Sequence, residues 1–171
     1  MATAFYTAIS SDTGSFQYDS VTSNTHRVIA DLLDHKADQQ LAVQNLYQSK
    51  SISQMKLMGI AMNNLKLYSC GQVGLVSISR QDLDQANASE MDTEGIVEMV
   101  RNIGTVELAI FLKEVEEGVK ISLRSKSQVD CTKIAEKFGG GGHIRASGAM
   151  SHDNLDTTHN KIIDYALEVL Q

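Results

Sequence analysis

The spacing of apolar positions changes character near residue 65. Before it, apolar residues recur at helical intervals; after it, alternating and continuous apolar runs are interleaved with short helical patterns. Residues 2–11 (ATAFYTAISS) have mixed spacing, and Ala2, Ala4 and Ala8 tip the reading towards helix, since alanine has the best helix propensity. SDTGSF then reads as a tight turn. In residues 22–35, Val28, Ile29, Leu32 and Leu33 form one stripe, and Thr22 to Thr25 offer a cap. Residues 39–65 read as two helices broken at Ser49 to Ser53, the second carrying Ile52, Met55, Leu57, Met58 and Met62.

Beyond that point LKLYSC and VGLVSIS flank Gly71 as a hairpin, and VELAIFLKEV and VKISLRS flank Glu116-Glu117-Gly118 as a second. Residues 92–102 (DTEGIVEMVRN) predict a helix with acidic residues in its first turn, where the helix dipole favours them. Residues 128–138 predict a short helix burying Val129, Ile134 and Phe138, with Gly139 as its C-terminal cap. ASGAM is a short buried strand, and residues 154–170 form a final amphipathic helix with Leu155, Ile162, Ile163, Ala166, Leu167 and Leu170 facing in. The expected fold class is α/β: a helical N-terminal part, then a domain whose mixed sheet of about five strands is flanked by helices.

The chain of 171 residues is 42% hydrophobic, enough for one large domain or two small ones. A net charge of -6 argues against a footprint for long duplex nucleic acid, but leaves room for a local basic patch that holds a small phosphorylated ligand. Cys70 and Cys131 lack metal or redox spacing and fit free thiols in a reducing cytoplasm. No apolar run approaches the roughly 20 residues of a membrane span, and MATAFYTAIS lacks the basic start of a signal peptide. A cytoplasmic protein without membrane contact is the expectation.

The stretch KFGGGGHIRASG places Gly139 to Gly142 before His143. A Walker or Rossmann loop needs a strand before its glycines and a helix after them; here the order is reversed. The run sits at a helix C-terminus, whose dipole repels anions. An anion would therefore depend on glycine N–H groups or on cationic side chains, of which Lys137, His143, Arg145 and Arg124 are near in the pattern. Arg124, in LRSKS at a strand end, suits bidentate binding of phosphate. Two readings stay open: a site for a phosphorylated ligand, or a helix cap followed by a surface loop.

Asp12-Thr13-Gly14 is the signature of aspartic proteases, which need two such aspartates. One copy, preceded by a helical rather than a β pattern, argues against that chemistry. An Asp turn at a helix end, or an oxygen ligand for a hard divalent metal, are the other readings. His26, Asp31, Asp34 and His35 on the next helix read as a solvated face.

Taken together, RSKSQVDCTKIAEKFGGGGHIRASGA resembles the DHHA1 domain of the DHH phosphoesterase superfamily, and AFYTAISSDTGSFQYDSVTSNTHRVIADLL resembles the end of its catalytic DHH domain. The likeness covers essentially the whole chain, and is nearest to bacterial bifunctional oligoribonucleases and pAp phosphatases. It implies that residues 1–38 are the C-terminal part of a DHH domain, 39–65 a helical connector, and 66–171 a DHHA1 substrate-binding domain. It implies Asp12 as a ligand of Mn²⁺, and Arg124, Ser125, Gly140, Gly141, Gly142 and His143 as substrate-binding residues, with Arg124 and Ser125 gripping phosphate.

The superfamily's Asp-His-His motif is absent from these residues, so the expectation is that the chain binds substrate and is inactive alone, with Mn²⁺ bound in the full-length enzyme rather than by this chain. The substrate class implied is short RNA or a phosphorylated nucleotide such as pAp. Alternatives are a cyclic-dinucleotide phosphodiesterase, or a non-catalytic RNA-binding module like the DHHA1 domains attached to alanyl-tRNA synthetases. The apolar helices of residues 1–35 are expected to expose a face that drives homo-oligomerisation.

Overall fold

A computed structural model describes residues 1–170, which form two compact units, residues 1–50 and the chain from Ser51 onward. The first unit contains α1 (Ala2–Asp12), α2 (Ser23–Asp34) and α3 (Gln39–Tyr47). Helix α2 starts in a capping box between Thr22 and Thr25, and Asp38 caps α3 by accepting the Leu41 N–H. Tyr6, Ile29 and Ala42 form its small core, with Ile9, Phe16, Leu32 and Ala37 packed around them. The expected SDTGSF turn is present. It is built from three successive left-handed residues, Gly14, Ser15 and Phe16, and held by the buried Thr13, whose hydroxyl donates to the Ile9 carbonyl and accepts the Phe16 N–H. Phe5, Val28 and Leu33 remain exposed.

The second unit begins with α4 (Ile52–Asn63) and is built on a sheet of β1 (Lys66–Tyr68), β2 (Val73–Ile78), β3 (Leu108–Val115), β4 (Gly118–Ser125), β5 (Gly141–His143) and β6 (Ala146–Ser151). The six strands lie in the order β1-β2-β3-β4-β6-β5. Only β2 and β3 are parallel, and α5 (Arg80–Ala86) and α6 (Ile96–Arg101) make the crossover that a parallel pair requires. Helices α7 (Cys131–Ala135) and α8 (Leu155–Leu170) complete the unit. The helices 39–47 and 52–63, expected as one connector, belong to different units.

Strand alternation divides the interior into two cores. Leu108, Ile110, Leu112, Val119, Ile121 and Leu123 point to α7 and α8, where Val129, Ile134, Ile162 and Ala166 meet them. Val76, Ile78, Ala109 and Phe111 point the other way, to Leu57 of α4, Leu83 of α5, and Ile96, Val97 and Val100 of α6.

Three departures from the sequence reading have local causes. The sheet has six strands rather than about five, because the glycine run itself pairs as β5. The helix expected over 92–102 is a 3-10 turn at Glu90–Thr93 and then α6, divided at Gly95, whose φ of 87° is incompatible with a continuous helix. Helix α5 was not expected; it starts at a capping box in which Ser79 and Asp82 satisfy each other's backbone N–H.

Candidate functional site: an open half of the sheet

On the face covered by α4, α5 and α6, the helical layer lies over β2 and β3, and the residues that β4, β6 and β5 turn to this side are not part of its core. Register puts these residues in cross-strand rows. Ala109, Arg124, Ala146 and His143 form one row; Phe111, Ser122, Gly148 and Gly141 form the next; Lys113, Lys120 and Met150 form a third. Lys120, Gly141 and His143 are exposed, and Ser122, Arg124, Ala146, Gly148 and Met150 are half-buried. The result is an open floor of small residues carrying an arginine and a histidine in one row.

Arg124 is held at two of its nitrogens. Its Nε donates to Glu98 Oε1 of α6 at 3.1 Å, and its Nη1 donates to the Leu123 carbonyl at 3.0 Å. Among the described residues Nη2 has no hydrogen-bond partner. Its row neighbours on either side, Ala109 and Ala146, are too small to cover the guanidinium.

Ser125 is not brought to this floor. It continues the Val119, Ile121, Leu123 face, is 2% exposed, and its hydroxyl donates to the Val129 carbonyl at 2.7 Å. Its N–H donates to the Arg145 carbonyl, Arg145 Nη1 donates to the Val129 carbonyl, and the Cys131 N–H donates to the Ile144 carbonyl. Ser125 thus ties the start of α7 to Ile144-Arg145, the two-residue turn between β5 and β6.

The glycine run is not a loop of bare N–H groups. Gly139, in the left-handed region at φ 68°, caps the helix end as expected. The Gly139 and Gly140 N–H groups donate to Glu136 and Ala135 carbonyls, and Gly141 to His143 pair with β6. The run is glycine for reasons of space. A Cβ on Gly140 would stand 2.2 Å from the Gly148 carbonyl oxygen, and Gly142 has φ 144° with Ala146 O at 2.7 Å from its would-be Cβ. Gly141 has nothing within 4 Å of that position.

The loop after β4 offers N–H groups that an anion could use, and a carboxylate of the chain already fills it. Glu107 Oε1 accepts the N–H groups of Ser127, Gln128 and Val129 at 2.8, 2.6 and 3.3 Å, and Oε2 accepts the Ser127 hydroxyl. Burial pushes Glu107 up, but these hydrogen bonds outweigh it and hold the carboxyl below its ordinary range. Lys126 is committed too, its Nζ donating to the Ile103 and Gly104 carbonyls. Of LRSKS, Arg124 alone reaches the open floor. Glu107 and Glu98 were missed in the sequence because both act across long sequence separations.

Asp12, in the first unit, is the exposed last residue of α1. Among the described residues no group of three His, Cys, Asp or Glu side chains could hold a metal ion. Among the described residues the Mn²⁺ implied by the resemblance therefore finds one carboxylate, Asp12, and not a site. Cys70 is exposed and Cys131 buried, both as free thiols, and burial pushes the Cys131 thiol up. No helix among the described residues is long and apolar enough to cross a membrane.

The DHHA1 domain family matches residues 68–170. The chain is 31% identical, over 99% of its length, to the bifunctional oligoribonuclease and PAP phosphatase NrnA of Thermus thermophilus, covering 51% of that protein. It is 28% identical over 91% of its length to the protein of the same name from Bacillus subtilis, covering 49% of it. A crystal structure of an exopolyphosphatase-related protein from Bacteroides fragilis superposes with a TM-score of 0.91 at 32% identity, covering 98% of this chain and 49% of the other. The chain thus spans about half the length of the relatives it matches.

Proposed function

We propose that this chain, which belongs to the DHHA1 domain family, binds the phosphate of a short nucleotide on the open half of its sheet, as the substrate-binding part of a phosphoesterase. The observation that carries the reading is the row Arg124, Ala146, His143: two side chains able to donate to an anion, on one uncovered face, across a floor that small residues leave accessible. Arg124 grips phosphate through its free Nη2 edge, since a planar guanidinium matches phosphate geometry. His143 supplies a second donor. Gly141 keeps the floor flat, while Gly140 and Gly142 let β5 lie against β6. Ser125 acts indirectly, by fixing the turn that carries the hairpin.

The substrate class is short oligoribonucleotides and pAp, which the oligoribonuclease and PAP phosphatase names of the Thermus and Bacillus relatives support. The net charge of -6 and the short cationic row favour a ligand of a few nucleotides over a long strand. In the whole protein the reaction would be phosphoester hydrolysis, and Asp12 would be one of several ligands needed to hold the Mn²⁺ that would assist it. The 171 residues by themselves are expected to bind without hydrolysing.

Calorimetric titration with pAp tests the binding claim. Wild-type chain is expected to bind, and Arg124→Ala to weaken binding by at least about tenfold, the loss typical of a charge-assisted hydrogen bond. Equal affinity in the two proteins removes the site. Phosphate release from pAp by this chain with Mn²⁺ would refute the claim that it binds without turnover.

A further inference from the structure

We infer that Glu98 is a positioning residue, which aims Arg124 at the ligand rather than merely neutralising it. The inference rests on the phosphate site proposed above. Glu98 lies on α6, whose Ile96, Val97 and Val100 are buried in the core against β2 and β3. A helix anchored at three positions in little more than one turn holds its carboxylate at a fixed place over the sheet. From there Oε1 accepts the Nε–H of Arg124 at 3.1 Å, and the two side chains are 35% and 29% exposed. With Nη1 on the Leu123 carbonyl, the guanidinium is fixed at two nitrogens, and a planar group fixed at two points has its remaining edge fixed as well. Ala109 and Ala146, on either side of Arg124, provide no side chain that could do this instead.

Two opposed effects follow from a carboxylate beside a phosphate-binding arginine. Its charge opposes an incoming anion. Its hydrogen bond removes the rotamer freedom that a long side chain would otherwise lose on binding. Fixation is expected to prevail here, because Glu98 and Arg124 are 35% and 29% exposed, so that solvent screens the repulsion between the Glu98 charge and the ligand, whereas the hydrogen bond still restricts the guanidinium.

The two effects separate by substitution. Glu98→Gln removes the charge and retains an acceptor oxygen for the Arg124 Nε–H. Glu98→Ala removes both. Calorimetry with pAp on the folded chain is the measurement, with circular dichroism melting to establish that each variant is folded. Glu98→Ala is expected to weaken binding roughly five- to tenfold, the scale of losing preorganisation of one arginine. Glu98→Gln should bind as tightly as wild type or better. In an Arg124→Ala background, Glu98→Ala should change nothing further, because Glu98 acts through Arg124.

An unchanged or tighter affinity in Glu98→Ala overturns the inference and makes Glu98 a competitor of the ligand. Equal weakening by Gln and Ala overturns it as well, as does a Glu98→Ala effect that persists without Arg124. Failure of the phosphate site itself has a different signature, since Arg124→Ala alone would then leave pAp affinity unchanged.

Discussion

Gly140 lies so close to Gly148 that a Cβ on Gly140 would stand 2.2 Å from the Gly148 carbonyl oxygen. This approach of two backbones lets a run of glycines serve as the edge strand beside β6. It also makes the four glycines unequal. Gly140→Ala and Gly142→Ala should each destabilise the second unit by about 2 kcal/mol or more, the first by overpacking and the second by a strained φ. Gly141→Ala, with open space at its Cβ, should melt within a degree or two of wild type, a small ΔΔG on the usual scale. Thermal unfolding of the three variants measures the ordering.

Part of this arrangement was legible in the sequence. The two hairpins, the Gly139 cap, the last helix and the association of Arg124 with the glycine run all followed from local pattern. The strand character of Gly141–His143 did not, because pairing along a glycine strand is a matter of backbone, and residues without side chains leave no alternation to read. The opposite facing of Arg124 and Ser125 could have been read: Val119, Ile121, Leu123 and Ser125 share one parity, and neighbours in a strand point to opposite sides. Helix α5 also had a signal, Ser79-x-x-Asp82, ahead of its buried Leu83 and Ala86. Glu98 and Glu107 had none, since their partners lie 26 and about 20 residues away along the chain.

Glu107 should determine the order of the loop between β4 and α7. Glu107→Gln is expected to cost about 1–2 kcal/mol, the lower range for hydrogen bonds to a charged group, given partial exposure. Its folded-state carboxyl is held below its ordinary value, so its contribution is present above that value, 4.5, and is lost as pH falls through the depressed one. Unfolding measured from pH 6 down to pH 3 should show a steeper loss in wild type than in Glu107→Gln. Parallel pH profiles would show that the carboxylate does not hold the loop.

A separate pH effect is expected near neutrality. Tyr68 of β1 and His159 of α8 share a hydrogen bond of 2.7 Å between Oη and Nε2. Burial lowers the His159 pKa, assisted by Lys66 nearby, and burial raises that of Tyr68. A histidine with a depressed folded pKa stabilises above its ordinary value, 6.5, and that stability is lost as pH falls below it, where the unfolded chain takes up the proton first. The melting temperature should therefore fall between pH 7.5 and pH 5.5, and His159→Gln should flatten the fall.

Phe5, Val28 and Leu33 are 56%, 39% and 39% exposed on α1 and α2. Exposed apolar side chains on short helices favour self-association. Light scattering should report a mass that rises with concentration, and replacing Phe5 and Leu33 by serine should lower it to that of a monomer.

Backbone amide shifts recorded while pAp is added to the chain test the central claim most directly, that the open half of the sheet is the phosphate site. The account predicts saturable shifts concentrated at Ser122, Arg124, Gly141 to His143, Ala146 and Gly148, and their loss in Arg124→Ala. Shifts that saturate elsewhere, on α8 or on the loop held by Glu107, or an absence of shifts at millimolar pAp, would contradict it.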